Sequence, residues 1–456
     1  MGNRRTKFIK DSVIAYDNRH HSTLYFNISK YNESVQTGKS RYDKFAEARQ
    51  YASDIKNHVI SALPEYLEQF EENIKARGAE VLWARDSSEA LGHIEKVLLE
   101  NSAHLVVKSK SMISEEIRFN EHCQKLGIEA LETDLGEFIV QTDGQKPYHI
   151  LTPAMHKSKE DVADLFHRKF GTPADSSPAD IAAYVRNFLR EKFIHADVGV
   201  TGANFLVADT GSICLTENEG NGLMTISFPR IHIVLAGIER VIPSIRHIPF
   251  FWQWLGVHGT GQNISAYNTL ISGPRQPGEI DGPEKMVVIL LDNGRSEVYN
   301  DPDVREALKC IRCGACLNAC PVYQHIGGYT YGSTYTGPIG SVLTPFLSGF
   351  KEFGHLSEAS TLCGRCSDVC PVKIPLHDLL LLNRQRNVAQ HGSGLLWRAG
   401  MKAFVFTFGK RERVDLFNGK FKRRLARIAG NPLGKGKHTP RFADRSFSRN
   451  WKLQNL

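Results

Sequence analysis

The pattern of apolar and polar positions divides the chain into regions of different periodicity. Between residues 43 and 78, in DKFAEARQYASDIKNHVISALPEYLEQFEENIKARG, apolar residues recur every three or four positions, which predicts amphipathic helices. Pro64 interrupts this pattern, and Gly78 supplies a helix end. Residues 1–75 are therefore predicted to form a helical N-terminal segment.

From residue 76 the pattern changes to short β-prone runs separated by helical stretches. The runs AEVLWA, HLVVKS, IEALET and EFIVQ are predicted strands, and SSEALGHIEKVLLEN is a predicted helix between the first two. The alternation continues through residues 196–222 and 231–242 and ends with KMVVILLDNGRS. Strands that alternate with helices favour parallel pairing, so residues 76–298 are predicted to form an α/β domain.

Beyond that domain, residues 299–395 are predicted to be helical, and residues 396–456 form a basic tail. From residue 398 onward there are sixteen basic and three acidic side chains, a charge of +13, so the rest carries −5 within the total of +8. Such a tail fits an anionic membrane surface or an acidic protein partner. Motifs of nucleic-acid-binding modules, membrane-spanning apolar runs and a secretory signal are absent from the sequence. We expect a cytoplasmic protein, or one held peripherally at the inner face of the membrane.

Seven of the nine cysteines fall in two short runs built to one plan. The spacing C-x2-C-x2-C-x3-C-P is typical of proteins that hold iron–sulfur cubes, whereas zinc sites prefer two C-x-x-C pairs. The first run, CIRCGACLNACP, supplies Cys310, Cys313, Cys316 and Cys320, and the second, STLCGRCSDVCP, supplies Cys363, Cys366 and Cys370.

In this spacing the fourth cysteine of each run ligates the cluster of the other run. The predicted ligands of cluster one are therefore Cys310, Cys313, Cys316 and Cys370, and those of cluster two are Cys320, Cys363 and Cys366. Aligning the runs places Ser360 where an eighth cysteine would stand. Either its hydroxyl ligates the fourth iron, or another group does, or that corner is open. The 42 residues between the runs favour a helical ferredoxin over a compact one.

The α/β region also contains a candidate anion site. Two lysines follow the predicted strand HLVV and so belong at its carboxyl end, where open α/β sheets bind ligands. Glycines in VGVTGANFLVADTG expose backbone amides, and the loop TENEGNG adds acids and amides beside them. We predict a site for a small hydroxy or keto acid; the alternative is that these glycines only form turns. The predicted site comprises Lys108, Lys110, Gly202 and Asn204.

Together these motifs resemble the bacterial L-lactate utilisation protein B family. The resemblance covers nearly the whole chain and is carried by KSKSMISEEI, TDLGEFIVQ, VGVTGANFLVADTGSICLTENEGNG, SGPRQPGEIDGP, GPIGSVLTPFLSG and both cysteine runs. It implies a LUD-type α/β domain similar to the sugar-phosphate isomerase class, followed by a helical ferredoxin domain with two [4Fe–4S] clusters. The seven-cysteine pattern of the family is met in full.

The resemblance further implies an electron-transfer subunit of a complex that oxidises L-lactate to pyruvate, rather than a complete enzyme. The implied partners are a subunit rich in paired cysteines and a second LUD-type subunit. Alternatively, the chain serves another hydroxy-acid or heterodisulfide oxidoreductase, or is a cluster-bearing regulator whose α/β domain senses a metabolite.

Overall fold

The computed structural model describes residues 4–392, 395–428 and 442–454. The chain forms two compact units, Met1–Asn387 and Val388–Leu456. The divisions predicted at residues 75 and 298 lie inside the first unit, so its helical segment, α/β layer and cysteine runs are packed as one body.

The first unit is built on a six-stranded, entirely parallel sheet with the order β1-β10-β7-β4-β2-β3. The central strands are buried on both faces, which explains their nearly continuous apolar sequences. The predicted strands AEVLWA, HLVVKS and IEALET are confirmed. The strands are β1 Glu80–Ala84, β2 Leu105–Lys108, β3 Glu129–Glu132, β4 Val198–Gly202, β7 Ile231–Gly237 and β10 Lys285–Leu291.

A smaller mixed sheet with the order β8-β5-β6-β9 extends from the first. Its strands β5 and β6 are antiparallel, and Gly211 in the turn between them has a φ of 62°. A β-carbon there would lie 2.3 Å from the backbone nitrogen of Ile74, so only glycine fits. The strands are β5 Phe205–Val207, β6 Ser212–Glu217, β8 Val241–Ile242 and β9 Tyr267–Ile271.

One predicted strand is wrong. EFIVQ lies in the helix Leu135–Thr142, which begins where the Asp134 side chain accepts a hydrogen bond from the Glu137 amide. The helix buries Phe138, Ile139 and Val140. So short an apolar run carries no periodicity that separates a buried strand from a buried helix.

The N-terminal segment is helical as predicted, and the pattern break at Pro64 coincides with the start of a new helix. The segment contains Arg4–Asp11, Asn18–Lys39, Phe45–Ser61 and Leu63–Lys75. The α/β layer contains Ser87–Glu100, Met112–Glu116, Phe119–Lys125, Leu135–Thr142, Lys159–Phe170, Pro178–His195, Asn221–Ser227, Ile248–Gly259 and Arg295–Asn300. Around the cysteine runs lie Ala315–Ala319, Pro321–Ile326, Gly337–Ser348, Phe350–Phe353, Arg365–Asp368 and Leu376–His391, and the 3-10 helices are Ser12–Tyr16, Ile238–Arg240, Ile245–His247, Arg305–Lys309, Tyr329–Tyr331 and Gly354–Glu358.

The second cysteine run is anchored to the rest of the first unit by polar contacts. The Arg49 guanidinium donates to the carbonyl oxygens of Cys370 and Ser367, both at 2.7 Å. The Trp254 indole donates to the carbonyl oxygen of Pro371 at 3.1 Å. One hydrophobic core joins the N-terminal helices, the helix Ile248–Gly259 and both runs. The α/β layer and the cysteine runs therefore hold each other in place.

The second unit contains the helices Leu395–Phe408, Arg411–Asp415, Gly419–Ile428 and Phe447–Gln454. Large apolar side chains on these helices, among them Trp397, Phe404 and Trp451, are exposed. Across the described ranges 4–392, 395–428 and 442–454, we find no helix with the length and apolar character that crossing a membrane requires.

Candidate functional site

Both cysteine runs adopt the same unusual backbone turn. Arg312 and Leu362 stand at equivalent positions and have φ values of 60° and 55°, in the left-handed region that non-glycine residues seldom adopt. The next equivalent pair, Gly314 and Gly364, has φ values of 75° and 83°. The two runs are thus structural repeats, each with a strained residue held at its first turn.

Four thiols, those of Cys310, Cys313, Cys316 and Cys370, form one group, named here the four-thiol group. Burial raises the pKa of Cys316 well above its usual range, and the neighbouring Cys310, Cys313 and Cys370 raise it further. Burial likewise raises the pKa of Cys370 to about 11. The structure therefore brings together the four residues predicted for cluster one.

The remaining thiols of the runs, those of Cys320, Cys363 and Cys366, form a three-thiol group. Burial raises the pKa of Cys366 to about 11, and Cys320 and Cys363 are its neighbours. Cys363 is exposed, and hydrogen bonds from the Arg365 amide and the Thr361 hydroxyl lower its pKa. The predicted residues of cluster two are also neighbours, and one of them is open to solvent.

This donor set fits iron–sulfur clusters. Thiolates are the soft ligands that hold such clusters, and a group of thiols with raised pKa gives up protons when metal binds. The Arg312 amide donates to Cys310 Sγ at 3.4 Å, and the Ile374 amide donates to Cys370 Sγ at 3.3 Å. Hydrogen bonds to the sulfurs are one means by which a protein tunes cluster potential.

Ser360 occupies the place of Cys310 in the second turn. Its Oγ accepts a hydrogen bond from the Leu362 amide at 3.1 Å, as Cys310 Sγ does from Arg312. Ser360 lies in irregular backbone before the helix Arg365–Asp368. Ligation of iron by Ser360 stays a prediction.

A cavity of about 380 Å³, named here the central cavity, lies at the carboxyl ends of β2, β4 and β7. Its walls include three of the four residues of the predicted anion site and much of the loop TENEGNG. They also include part of the first cysteine run. The polar lining includes Lys110, Asn204, Asp134, Glu217, Asn218, Glu219, Asn221, Glu239, Arg240, Arg295, Arg312 and Tyr335, with Gly202 and Cys313 beside them.

Lys108 does not line this cavity, which corrects one residue of the predicted site. Its ammonium is fully buried, 2.8 Å from Glu132 Oε1 and 3.6 Å from Glu115 Oε1. Lys108 and Glu132 face each other in the register of β2 and β3, so their side chains meet on one side of the sheet. Glu115, Glu132 and Glu137 place carboxylate oxygens within 4.8 Å of one another. The Lys108 charge offsets theirs, and its role is structural.

The predicted glycines also separate into two roles. A β-carbon at Gly199 would lie 1.9 Å from the carbonyl oxygen of Thr225, so this glycine permits a helix to pack against β4. Gly202 lines the central cavity, and its β-carbon position is 2.9 Å from the Ser111 hydroxyl. Close packing, rather than anion binding, accounts for Gly199.

A buried network of charged side chains lies at one wall of the central cavity. It links residues beyond the carboxyl end of β7 to the first cysteine run. Arg295 binds both oxygens of Glu116, at 3.0 and 2.8 Å, and its Nε donates to Glu239 at 2.7 Å. Arg312 donates to Glu239 at 3.2 Å, and the Tyr335 hydroxyl donates to Glu116 at 2.6 Å. Burial alone would raise the pKa of Glu239, but the adjacent guanidinium groups outweigh it and hold the carboxylate ionised.

Three residues of this wall, Arg240, Arg312 and Tyr335, were not predicted from the sequence. Arg240 follows Glu239 at the end of the apolar strand IHIVLAG, a position where a charged pair belongs to the ligand-binding edge of a parallel sheet. Arg312 stands inside the first cysteine run, between two predicted cluster ligands. These two sequence positions could have identified Arg240 and Arg312 as candidate site residues.

Comparisons with known proteins agree with these two regions. The LUD domain family matches residues 67–291, and the 4Fe-4S dicluster domain family matches residues 306–374. Lactate utilization protein B of Bacillus licheniformis is 45% identical over 360 residues, which cover 78% of this chain and 75% of that relative. The proteins of the same name from Bacillus velezensis and Bacillus thuringiensis are also 45% identical, over 358 and 359 residues, with 78% of this chain and 75% and 76% of theirs covered. A crystal structure of a DUF162 family protein from Deinococcus radiodurans covers 50% of this chain and 98% of its own, with 17% identity and a TM-score of 0.29, a likeness too weak to inform the fold.

Proposed function

The chain belongs to the lactate utilization protein B family, and from this premise we propose that it is the iron–sulfur subunit of a complex that oxidises L-lactate to pyruvate. The observation that carries the proposal is the grouping of seven thiols into one set of four and one set of three. A protein with such sites transfers single electrons and does not by itself need a hydride acceptor.

We assign two [4Fe–4S] clusters to these sites. The four-thiol group holds one through Cys310, Cys313, Cys316 and Cys370, and the three-thiol group holds the other through Cys320, Cys363 and Cys366. When bound, these clusters supply one-electron chemistry. The protein supplies the sulfur ligands, the amide donors to two sulfurs and, around the four-thiol group, a core that excludes water.

Ser360 is the proposed fourth protein ligand of the three-thiol site. Support comes from its turn, in which the Ser360 hydroxyl takes the place of the Cys310 thiol and accepts the equivalent amide hydrogen bond. A hydroxyl is a harder donor than a thiolate and is protonated at neutral pH unless iron holds it. We therefore expect this corner to be more easily lost than the others.

The two thiol groups differ in access, and this difference suggests their places in the complex. Cys313 of the four-thiol group lines the central cavity. Cys363 of the three-thiol group is exposed, where a partner protein can approach. We propose that the partners are a subunit rich in paired cysteines and a second LUD-type subunit, and that one of them docks beside Cys363.

The basic second unit supports a cytoplasmic protein that attaches peripherally to an anionic membrane surface or an acidic partner. Exposed apolar side chains such as Trp397 and Phe404 accompany a local charge of +13 from residue 398 onward. Both features favour anionic interfaces. Cosedimentation with vesicles, compared between phosphatidylcholine alone and a mixture with anionic lipid, tests the membrane alternative.

The function is tested by deleting the gene and comparing growth on L-lactate and on pyruvate. We expect growth on L-lactate to be lost and growth on pyruvate to be unchanged, in a strain without another active lactate dehydrogenase. Equal growth on both carbon sources would contradict the proposal. Restoration by the parent gene, but not by a Cys316→Ala copy, ties the phenotype to the four-thiol group.

The cluster assignment has its own test on the purified, anaerobically reconstituted protein. Two [4Fe–4S] clusters require about eight iron atoms for each chain and two distinguishable paramagnetic signals after reduction. About four iron atoms for each chain and a single signal would indicate one cluster and overturn the two-cluster assignment.

A further inference from the structure

The central cavity lies where two parts of the first unit meet. The carboxyl ends of β4 and β7 form one wall, and Arg312 and Cys313 of the first cysteine run form another. Its volume of about 380 Å³ falls in the range of pockets that hold small ligands. A molecule in this cavity contacts the α/β layer and the ligand-bearing run at the same time.

The charged side chains at this wall of the cavity carry more positive than negative charge. Three guanidinium groups, those of Arg240, Arg295 and Arg312, face two carboxylates, those of Glu116 and Glu239. Arg295 is occupied, because it binds Glu116 through two nitrogens and Glu239 through the third. Arg240 and Arg312 both face the other oxygen of Glu239, Oε1. The three guanidinium groups therefore carry one more charge than the two carboxylates.

The same two arginines have unused donors. Arg312 is 6% exposed, and its Nε and Nη1 are buried with no hydrogen-bond partner in the described part of the chain. Arg240 forms no side-chain hydrogen bond with any described residue, and its nearest carboxylate oxygen is 3.9 Å away on Glu239. Buried unsatisfied donors are costly, and a guanidinium fork matches the two oxygens of a carboxylate.

The other residues that line the cavity restrict the groups that a bound molecule can carry besides a carboxylate. Asp134, Glu217 and Glu219 line the cavity too, and they oppose a second negative charge. Lys110 and Asn204 offer donors, and Asn204 Oδ1 already accepts from the Thr216 amide, so its Nδ2 is the group left for a ligand. Desolvation and the Asp134 carboxylate raise the pKa of Glu219 to about 7, so this side chain is partly protonated near neutral pH.

We infer that the central cavity binds a small monocarboxylate that carries a hydroxyl or keto group, with its carboxylate held between Arg240 and Arg312. The inference rests on the proposed function, because it identifies the site in this chain for the substrate or product of the complex. It also assigns a binding role to an arginine inside the first cysteine run, so that ligand binding and the environment of the four-thiol group are linked.

The arginines have one rival role, which is to offset the negative charge of a cluster in the four-thiol group. Arg312 is close to that group, since its amide donates to Cys310 Sγ. Arg240 is the more informative residue to change, because its backbone makes no contact with the cysteine sulfurs among the hydrogen bonds of the described residues. A test must therefore measure ligand binding and the cluster signal separately.

The experiment uses the full-length protein after anaerobic reconstitution, with L-lactate, pyruvate, propionate, malonate and inorganic phosphate as probes in titration calorimetry. We expect L-lactate or pyruvate to bind, and propionate, malonate and phosphate to bind more weakly. Arg240→Gln should weaken the binding of L-lactate or pyruvate by about tenfold to a hundredfold, the effect of losing charge-assisted hydrogen bonds. Arg246→Gln is the matched control, since Arg246 is exposed, six residues away and outside the cavity.

A second measurement needs no variant. Adding saturating L-lactate or pyruvate to the reduced parent protein should change the paramagnetic signal that Cys316→Ala removes and leave the other signal unchanged. The inference is overturned if a protein with both clusters loaded binds none of the hydroxy or keto acids. It is equally overturned if Arg240→Gln shifts the cluster potential while ligand affinity equals that of the parent. Tight binding of phosphate alone would also contradict it. Failure to load two clusters with ligand binding intact would instead contradict the proposed function.

Discussion

The two cysteine runs share a backbone turn and differ in their surroundings. In the first run Cys313 is 8% exposed, and a β-carbon at Gly314 would lie 3.0 Å from the Ile150 side chain. In the second run Cys363 is exposed, and a β-carbon at Gly364 would have nothing within 4 Å. The spacing of residues sets the turn, whereas the packed neighbours set solvent access. Two sites of similar geometry can therefore differ in stability and in the molecules that reach them.

The largest expected effect comes from removing a ligand of the buried site. Cys316→Ala should abolish the signal of the four-thiol group and lower total iron by about half, because a cube with three thiolates and no fourth protein ligand is poorly held in this buried site. The signal of the three-thiol group should remain. Iron analysis and electron paramagnetic resonance after reduction measure both. Cys214→Ala, a change at a buried cysteine of β6, should keep both signals.

An unchanged spectrum in Cys316→Ala would show that the four-thiol group is not a cluster site. Loss of both signals, with the fold intact by circular dichroism, would instead mean that the two sites load together and that their separation is wrong.

The next effect concerns the corner where the runs differ chemically. Mild oxidation of the parent protein should remove one iron from the three-thiol site and produce a [3Fe–4S] signal in the oxidised protein. Ser360→Cys should suppress that signal, because it supplies the missing thiolate. Ser360→Ala is the matched control and should be at least as labile as the parent. If the cysteine and alanine variants both behave like the parent, Ser360 does not face the iron.

The ion pairs near the runs provide a comparison in stability. Glu239→Gln removes a carboxylate buried between Arg295 and Arg312, and should lower the free energy of unfolding by about 3–5 kcal/mol, since buried charges lose their partner. Glu358→Gln, just before the second run, breaks an exposed pair with Arg5 at 2.9 Å and should cost less than about 1 kcal/mol. Denaturant unfolding of the reconstituted proteins measures both changes in the free energy of unfolding. Similar losses in the two variants would show that the Glu239 ion pairs are no more buried in solution than the Glu358–Arg5 pair.

The smallest expected difference lies between two glycine variants and separates backbone strain from packing. Gly364→Ala should cost about 1–2 kcal/mol, because its φ of 83° disfavours any residue with a β-carbon and the surrounding space is open. Gly314→Ala carries the same strain at a φ of 75° and adds a contact with Ile150, so it should cost about 1–3 kcal/mol more. Equal losses in denaturant unfolding would show that the first run is no more tightly packed than the second.

Features decided by neighbouring residues could be predicted from the chain itself. The spacing of the cysteines, the glycine after the second cysteine position and the proline after the last are local properties, and they determined the turns. Period-two and helical patterns determined most strands and the N-terminal helices. The strand predicted for EFIVQ is wrong because five residues are too few to distinguish the period of a strand from that of a helix. The hydrogen bond that the Glu137 amide donates to the Asp134 side chain favours the helix.

Tertiary structure alone decided which charged side chains meet. Lys108 and Lys110 are two residues apart, yet the register of β2 with β3 pairs Lys108 with Glu132, while Lys110 lies on the cavity wall. Arg240 and Arg312 are far apart in sequence and meet only because the first cysteine run packs over the carboxyl ends of the strands. The sequence determined the ligand spacing because that depends on a few bonded residues. It did not determine the central cavity, because that depends on the packing of segments hundreds of residues apart.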